Sequence, residues 1–334
     1  MPIKIAINGY GRIGRGLHRQ IIDSDDIQLV AINSGSDAHS HAHLLKYDSL
    51  YGKCDADISV DGNDLIVNGK KIVVYQVRDP KDVDWKKLKV DIVIESTGKF
   101  TEMEDVKKHL VAGAKKVLVT APCKDEAIPN IVMGVNDEEV DLDKYKVVSN
   151  ASCTTNCLAP MLQVLNKEFK VEKAFVNTLH AFTYTQNLLD NSNPDDFRRA
   201  RATTESIIPT TTGAMKAISR VIPELAGKVD GMAFRVPVAT VSCIYLVAKL
   251  TKDVTVEQVN ETFKKYAEHD LQGILGTSDE PLVSIDFKGD TRSCILDLLS
   301  TKVLPGGYVQ LVGWYDNEWG YNARVLDLIR WLAA

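Results

Sequence analysis

Cysteine is scarce in this chain, and none of its six copies forms a Cys-x-x-Cys pair. That excludes a disulfide framework and a structural zinc site of the usual spacing, and it fits reduced thiols in a cytoplasmic protein. Positive charge is not in excess either. A formal net charge of -5 at pH 7 provides no broad basic surface for sequence-independent nucleic-acid binding, and leaves only local arginine clusters to hold small anions. No apolar run approaches the roughly 20 residues that span a bilayer. The chain runs straight into the strand-like Ile3–Ile7 without a charged-then-apolar leader, so neither a membrane nor a targeting segment is expected. What remains is ordinary globular material, 45% apolar and 25% charged over 334 residues, enough for two cores.

Short β-rich runs at Ile3–Ile7, Ile27–Ile32, Val90–Glu95, Val117–Thr120 and Val147–Ser149 are separated in part by helical stretches such as Thr101–Ala112. This alternation predicts an α/β domain with a Rossmann-type doubly wound parallel sheet. Within it Asn68-Gly69, between two apolar runs, predicts a tight hairpin. After Cys153 the pattern changes to a helix reaching about Glu168 and then longer strands: from Val171, Val238–Leu250, Leu282–Phe287, Ser293–Leu298 and Tyr308–Trp314. Consecutive strands imply an α+β domain with a mixed or antiparallel sheet. Thr255-Val256-Glu257-Gln258 reads as a capping box, and Tyr321–Leu332 has the apolar spacing of a packed helix. The expected division is residues 1–152 for dinucleotide binding, 153–316 for catalysis, and 317–334 as a C-terminal helix returning to the first domain.

Asn8-Gly9-Tyr10-Gly11-Arg12-Ile13-Gly14 follows the first strand and precedes a helix, the context that makes G-x-G-x-x-G informative. Gly9 would permit the turn, Gly11 the approach of backbone to pyrophosphate, and Gly14 close helix-strand packing, with the helix N-terminus facing the phosphates. The acidic residue expected 20 positions after Gly14 is replaced by Ser34. A carboxylate there would repel a 2′-phosphate and a hydroxyl can donate to one, so the sequence permits NADP as well as NAD, unless Asp37 supplies the acid instead.

Ser149-Asn150-Ala151-Ser152-Cys153-Thr154-Thr155-Asn156-Cys157 places a thiol among hydroxyls and amides at a predicted helix start. The positive end of the helix dipole there is expected to favour thiolate, and the same donors suit phosphate, although such clusters often only cap helices. Together with the glycine turn, this suggests an enzyme that holds its substrate as a thioester while removing hydride.

With these segments and His180-Ala181-Phe182-Thr183, Pro209 to Ala214, Phe234-Arg235-Val236-Pro237 and Trp314 to Tyr321, the chain resembles the phosphorylating glyceraldehyde-3-phosphate dehydrogenase family over essentially its full length. The resemblance implies Cys153 as nucleophile and His180 as base in the oxidation of glyceraldehyde 3-phosphate to 1,3-bisphosphoglycerate with inorganic phosphate, in glycolysis or gluconeogenesis. It implies Thr183 and Arg235 on the substrate phosphate; Ser152, Thr154, Thr212 and Gly213 on the attacking phosphate; and Arg199 shared between them. Read by itself, the Arg198–Arg201 cluster has a lesser alternative as a solvated basic turn. By the same resemblance Arg12 and Ile13 join the glycines in cofactor binding, Asn317 bonds the nicotinamide amide, Tyr321 lies near it, and the protein is a homotetramer. Ser34, and Ser192 in the loop after Asp190, depart from NAD-specific members toward those accepting NADP. Tyr245 stands where aspartate is common.

Related readings are erythrose-4-phosphate dehydrogenase, which usually lacks the Pro209–Gly213 pattern, and a cysteine acyl-transferase or hydrolase, which would turn over without nicotinamide. A binding-only module is a further class. Cys157, one turn after Cys153, reads as a buried apolar thiol, and Cys54, Cys123, Cys243 and Cys294 as structural. His39, His41 and His43 would share a face on a strand but lack a ligand set for metal, and His18, His109 and His269 read as ordinary surface or helix positions.

Overall fold

The computed structural model describes every residue except Lys124, Leu142 and Thr185. The chain divides into two compact units: residues 1–131, 139–151 and 322–334, and residues 132–138 with 152–321.

The first unit runs β1 (Ile3–Asn8), α1 (Arg12–Ile21), β2 (Ile27–Asn33), α2 (Ala38–Lys46), the small pair β3 (Tyr47–Asp48) and β4 (Gly52–Lys53), β5 (Ile58–Asp61), β6 (Asp64–Val67), β7 (Lys70–Tyr75), α3 (Trp85–Leu88), β8 (Ile92–Glu95), α4 (Met103–Val111), β9 (Lys116–Val119) and β10 (Val147–Ser149). Its sheet has the order β10-β9-β8-β1-β2-β7-β6-β5. The first six of these are mutually parallel, with β8 and β10 buried throughout, and the chain reverses direction across the sheet between β1 and β8. Asn68 and Gly69, at φ 47° and 72°, turn β6 antiparallel onto β7 as the hairpin signal indicated. One face buries Val93, Val117 and Val119 against Val106 and Trp85.

The second unit begins with α5 (Cys153–Phe169), buried on all sides from Thr154 to Asn166, which is why its apolar residues follow no single stripe. It continues with β11 (Val171–Ala181), β12 (Ile208–Thr210), α6 (Ala214–Val221), β13 (Val229–Val236), β14 (Ser242–Leu250), α7 (Val256–Glu268), β15 (Leu275–Ser278), β16 (Cys294–Asp297), β17 (Lys302–Leu304), β18 (Tyr308–Tyr315) and α8 (Trp319–Ala333), whose residues from 322 onward belong with the first unit. The sheet order β12-β13-β11-β14-β18-β16-β15 is mixed: β11 with β13 and β15 with β16 are parallel, the rest antiparallel. The expected strand Leu282–Phe287 is instead a short 3-10 turn, Ser284–Phe287. Asp286 explains it, because its carboxylate accepts from the Val283 backbone N–H at 2.8 Å and curls the segment back on itself. Among the described residues no helix is long and apolar enough to cross a membrane.

Two histidines read as ordinary positions are buried. His18 makes a short hydrogen bond to the Tyr10 hydroxyl, and burial lowers its pKa to about 3. His109 is fully enclosed. His39, His41 and His43 lie on helix α2, with His41 buried and the other two exposed, so they do not share a face.

Candidate active site

In the first unit, β1 hands the chain to Gly9 at φ +96°, where a Cβ would sit 2.6 Å from the Thr97 backbone nitrogen. Gly14 is equally confined, its imagined Cβ 2.6 Å from the Gly9 carbonyl oxygen. Around Gly11 there is nothing within 4 Å. Gly11 also opens α1, whose N-terminus has no side-chain cap and no acidic residue in its first turn, so the positive end of its dipole suits an anion. These three observations fit a pyrophosphate. Accordingly, Gly11→Ala is expected to keep the melting temperature and weaken dinucleotide binding, whereas Gly9→Ala is expected to cost about 2 kcal/mol or more of stability. Dye-monitored melting and a nucleotide titration check both; a destabilised Gly11→Ala with normal affinity would contradict this reading.

Arg12 pairs with Asp48 at 2.5 Å and lies over the Tyr51 ring. Ile13 is half-buried in the first turn of α1. Ser34 is half-buried, its N–H donating to the Tyr75 carbonyl at 3.0 Å, at the head of the exposed Gly35-Ser36-Asp37 stretch. Asp37 caps α2, accepting from the Ser40 N–H at 2.8 Å, and that bond holds its carboxyl below the usual range. Behind the turn, Glu95 is buried and accepts from Asn8 Nδ2 at 2.5 Å, His109 Nε2 at 3.0 Å, and the Thr97 N–H at 2.9 Å, with Thr97 Oγ1 also donating. Trp85 Nε1 donates to His109 Nδ1 at 3.2 Å, which fixes His109 as the neutral Nε2–H tautomer.

In the second unit Ser152 caps α5, its Oγ accepting from the Thr155 N–H at 3.0 Å, and Cys153 occupies the first helical position. Ala151 just before it is in the left-handed region at φ 51°, a conformation costing about 1 kcal/mol that swings the chain into the helix. Cys153 Sγ is 3.4 Å from His180 Nε2. His180 stands on β11 in register with Arg235 on the parallel β13, so both side chains project from the same face. Arg235 Nη1 lies 2.5 Å from His180 Nδ1 and 3.1 Å from the Ala181 carbonyl oxygen, itself 2.7 Å from Nδ1. Beneath them Tyr315, buried by the alternation of β18, bonds Thr154 at 3.1 Å and Thr178 at 2.9 Å and meets the His180 ring edge-on.

Burial pushes the Cys153 thiol above its ordinary pKa, with Arg235 and bonds from Thr154 opposing it. Burial and the adjacent guanidinium lower His180 to about 3. Because the native state keeps His18 and His180 neutral, the unfolded chain binds more protons as pH falls below about 6.5. Stability is therefore full above that pH and is expected to decline from pH 6.5 toward 3. Urea unfolding across that range tests it, and a flat profile would contradict it.

Around this pair, Asn317 accepts from Ser242 Oγ at 3.0 Å, and that oxygen accepts from the Ala181 N–H at 3.0 Å, tying Asn317 to the His180 strand. Arg199 donates to Thr210 Oγ1 at 2.8 Å and pairs with Asp196 at 3.1 Å. Thr210 is on β12, which pairs with β13, and the charge of Arg199 is felt at Arg235. Thr183 bonds Gln186, and Thr212 accepts from the Ala214 N–H at 3.2 Å at the start of α6, which Gly213 opens without a side-chain cap. Those contacts are local and do not join them to Cys153. Tyr321 is buried. Cys157 is fully buried, its Sγ 3.8 Å from the Gly313 carbonyl. Sequence reasoning passed over Tyr315, Thr178 and Ser242. Only Tyr315 left a signal, through the alternation of β18 and its place two residues before Asn317.

Residues 3–103 match the model of the glyceraldehyde 3-phosphate dehydrogenase NAD binding domain, and residues 152–317 that of its C-terminal domain. The chain belongs to the glyceraldehyde 3-phosphate dehydrogenase family. It is 54% identical to the glyceraldehyde-3-phosphate dehydrogenase of Geobacillus stearothermophilus over 334 residues, covering all of this chain and 99% of that one. Proteins of the same name from Priestia megaterium, at 53%, and Bacillus subtilis, glyceraldehyde-3-phosphate dehydrogenase 1 at 52%, are covered to the same extent. Family membership accounts for both sheets, the doubly wound one and the mixed one, in a single chain.

Proposed function

We propose that the protein oxidises D-glyceraldehyde 3-phosphate to 1,3-bisphosphoglycerate with inorganic phosphate and NAD(P), a step of glycolysis that gluconeogenesis runs in reverse. The observation that carries this reading is the 3.4 Å approach of Cys153 Sγ to His180 Nε2 at the start of α5, with Arg235 beside them. When bound, the nicotinamide ring accepts the hydride. Cys153 attacks the aldehyde carbon, making a thiohemiacetal. His180 takes the hydroxyl proton as hydride leaves, and the C=O bond re-forms as a thioester on the sulfur. Inorganic phosphate then adds to that carbon and expels the Cys153 thiolate, giving the acyl phosphate.

Arg235 and Thr183 are read as holding the phosphate already on the substrate, and Ser152, Thr154, Thr212 and Gly213 as holding the attacking one, with Arg199 serving both. Arginine suits this role because its planar fork bonds two phosphate oxygens at once. Nucleotide absorbance tests the reaction: reduced nicotinamide should accumulate with glyceraldehyde 3-phosphate only while inorganic phosphate is present. Turnover without nicotinamide would instead indicate a cysteine hydrolase.

We read the coenzyme as either NAD or NADP. Support comes from the hydroxyl of Ser34, placed where a carboxylate would exclude a 2′-phosphate, and from Asp37 being engaged as the α2 cap. Ser34→Asp is expected to lower NADP efficiency on the order of tenfold more than NAD efficiency, about 1.4 kcal/mol of added repulsion; equal losses would remove Ser34 from the ribose site.

Homotetrameric assembly is supported by the uncovered face of the second sheet. Phe175 and Leu179 on β11 and Met232 on β13 are 69%, 41% and 37% exposed and share this face, an apolar cluster of the kind that marks an interface. Tyr245 lies on this face, its hydroxyl donating to Gln310 Oε1 at 2.8 Å. We place the enzyme in the cytoplasm, consistent with its free thiols.

A further inference from the structure

The turn between β1 and α1 is Gly9-Tyr10-Gly11, and Tyr10 is its only member with a side chain. Backbone secures one end, where the Gly9 N–H donates to the Asn33 carbonyl of β2 at 2.8 Å. The other end is unconfined, since nothing lies within 4 Å of where a Gly11 Cβ would stand. Sideways restraint on the turn comes from the Tyr10 ring, which runs inward between α1 and α2 and is 2% exposed. Its hydroxyl makes the short bond to His18 Nδ1 in the second turn of α1, and the His41 ring meets it edge-on, with centroids 5.1 Å apart. Arg15 Nη1, also on α1, donates to the Tyr10 carbonyl at 2.8 Å. Burial raises the phenol well above its ordinary pKa and lowers both imidazoles, so the O–H is retained and donates to the His18 nitrogen. His41 stands in the first turn of α2, its N–H donating to the Asp37 carbonyl at 3.1 Å, directly after the Ser34–Asp37 stretch.

We propose that Tyr10 is a positioning residue for the coenzyme: pinned by His18 and seated on His41, its ring holds the Gly9–Gly11 turn at a fixed place relative to the first turn of α2, so that pyrophosphate and ribose are gripped together. The inference rests on the reading of this turn and of Ser34 as the coenzyme site. A dinucleotide spans both, and the second grip adds to the first only when the protein already holds the two at the matching separation. Glycine on either side of Tyr10 leaves the backbone free to drift, which is why the restraint falls to one side chain. Losing it lowers affinity for the coenzyme without touching the chemistry of what is bound, because Cys153 and His180 belong to the other unit of the chain. A side chain that merely filled the core would lower the melting temperature and leave affinity alone.

The test titrates the full-length protein with NAD, without aldehyde, and follows intrinsic fluorescence; steady-state kinetics on the same samples give kcat at saturating NAD. Tyr10→Leu cannot reach His18 and presents no ring to His41. Its Kd for NAD is expected to rise on the order of tenfold, with kcat within about twofold of the parent. Hydrogen exchange in the first turn of α2 should quicken in the same variant before NAD is added. Tyr10→Phe combined with His18→Phe exchanges the bond for an apolar pair that still joins the turn to α1, and should bring Kd back to within about threefold of the parent. A Tyr10→Leu protein that melts earlier yet binds NAD as the parent does overturns the proposal, and so does a loss of kcat as large as the loss of affinity. Should Tyr10→Leu not fold, Tyr10→Phe alone decides: it keeps the ring and loses the bond, about threefold weaker binding is expected, and an unchanged Kd overturns the proposal. A parent that binds no NAD removes the coenzyme reading itself, whereas normal binding by the parent and by Tyr10→Leu removes only the role of Tyr10.

Discussion

Cys153→Ser is expected to abolish aldehyde oxidation, lowering turnover by at least about a thousandfold, while dinucleotide affinity stays at the parent value. Burial already raises the pKa of the Cys153 thiol. A serine hydroxyl starts several units higher, and no base at 3.4 Å closes that gap at neutral pH. Binding should survive because the glycine turn and Ser34 belong to the other unit of the chain. Steady-state kinetics paired with a fluorescence titration of the nucleotide would measure the two effects separately. Residual turnover within tenfold of the parent would rule out a thioester on residue 153.

The largest loss of stability is expected at Glu95. Its carboxylate accepts hydrogen bonds from the buried Asn8 and His109 and from both the backbone and hydroxyl of the half-buried Thr97. Glu95→Ala strands these donors at once. Buried donors without acceptors cost about 1–3 kcal/mol each, so even with relaxation the variant should lose roughly 3 kcal/mol or more. His109→Phe in the same background should add less than it does alone, since the bond between them is already gone. Hydrogen exchange at β1 and β8, read alongside urea unfolding, would localise the effect. A cost below about 1 kcal/mol would mean the network contributes little beyond filling space.

The contrast between these two sites shows what a sequence carries. The thiol announced itself because nucleophile, hydroxyls and helix start are adjacent, and the glycine turn because Gly9 and Gly14 answer local steric demands that the structure displays. A parallel strand such as β8 was legible as a short apolar run because both of its faces are covered. Glu95 gave no such signal: apart from Thr97, its partners His109 and Asn8 lie 14 and 87 residues away, and nothing in a one-dimensional pattern ties them together. His109 looked ordinary for the same reason. The Leu282–Phe287 segment misled because an apolar alternation was present but Asp286 turned its own backbone into a cap. At position 153 helix geometry was foreseen, while the desolvation of the sulfur, which depends on neighbours contributed by β11, β13 and β18, was not.

The first unit is assembled from three separate stretches of chain, the last beginning at Asn322. Lys116 bonds the Leu332 carbonyl and Asp26 pairs with Arg330, so this final stretch is fastened to residues made near the beginning. During synthesis the nucleotide-binding half must therefore wait, lacking a wall, while every residue of the other half is added. It closes only once the stretch from Asn322 has emerged from the ribosome.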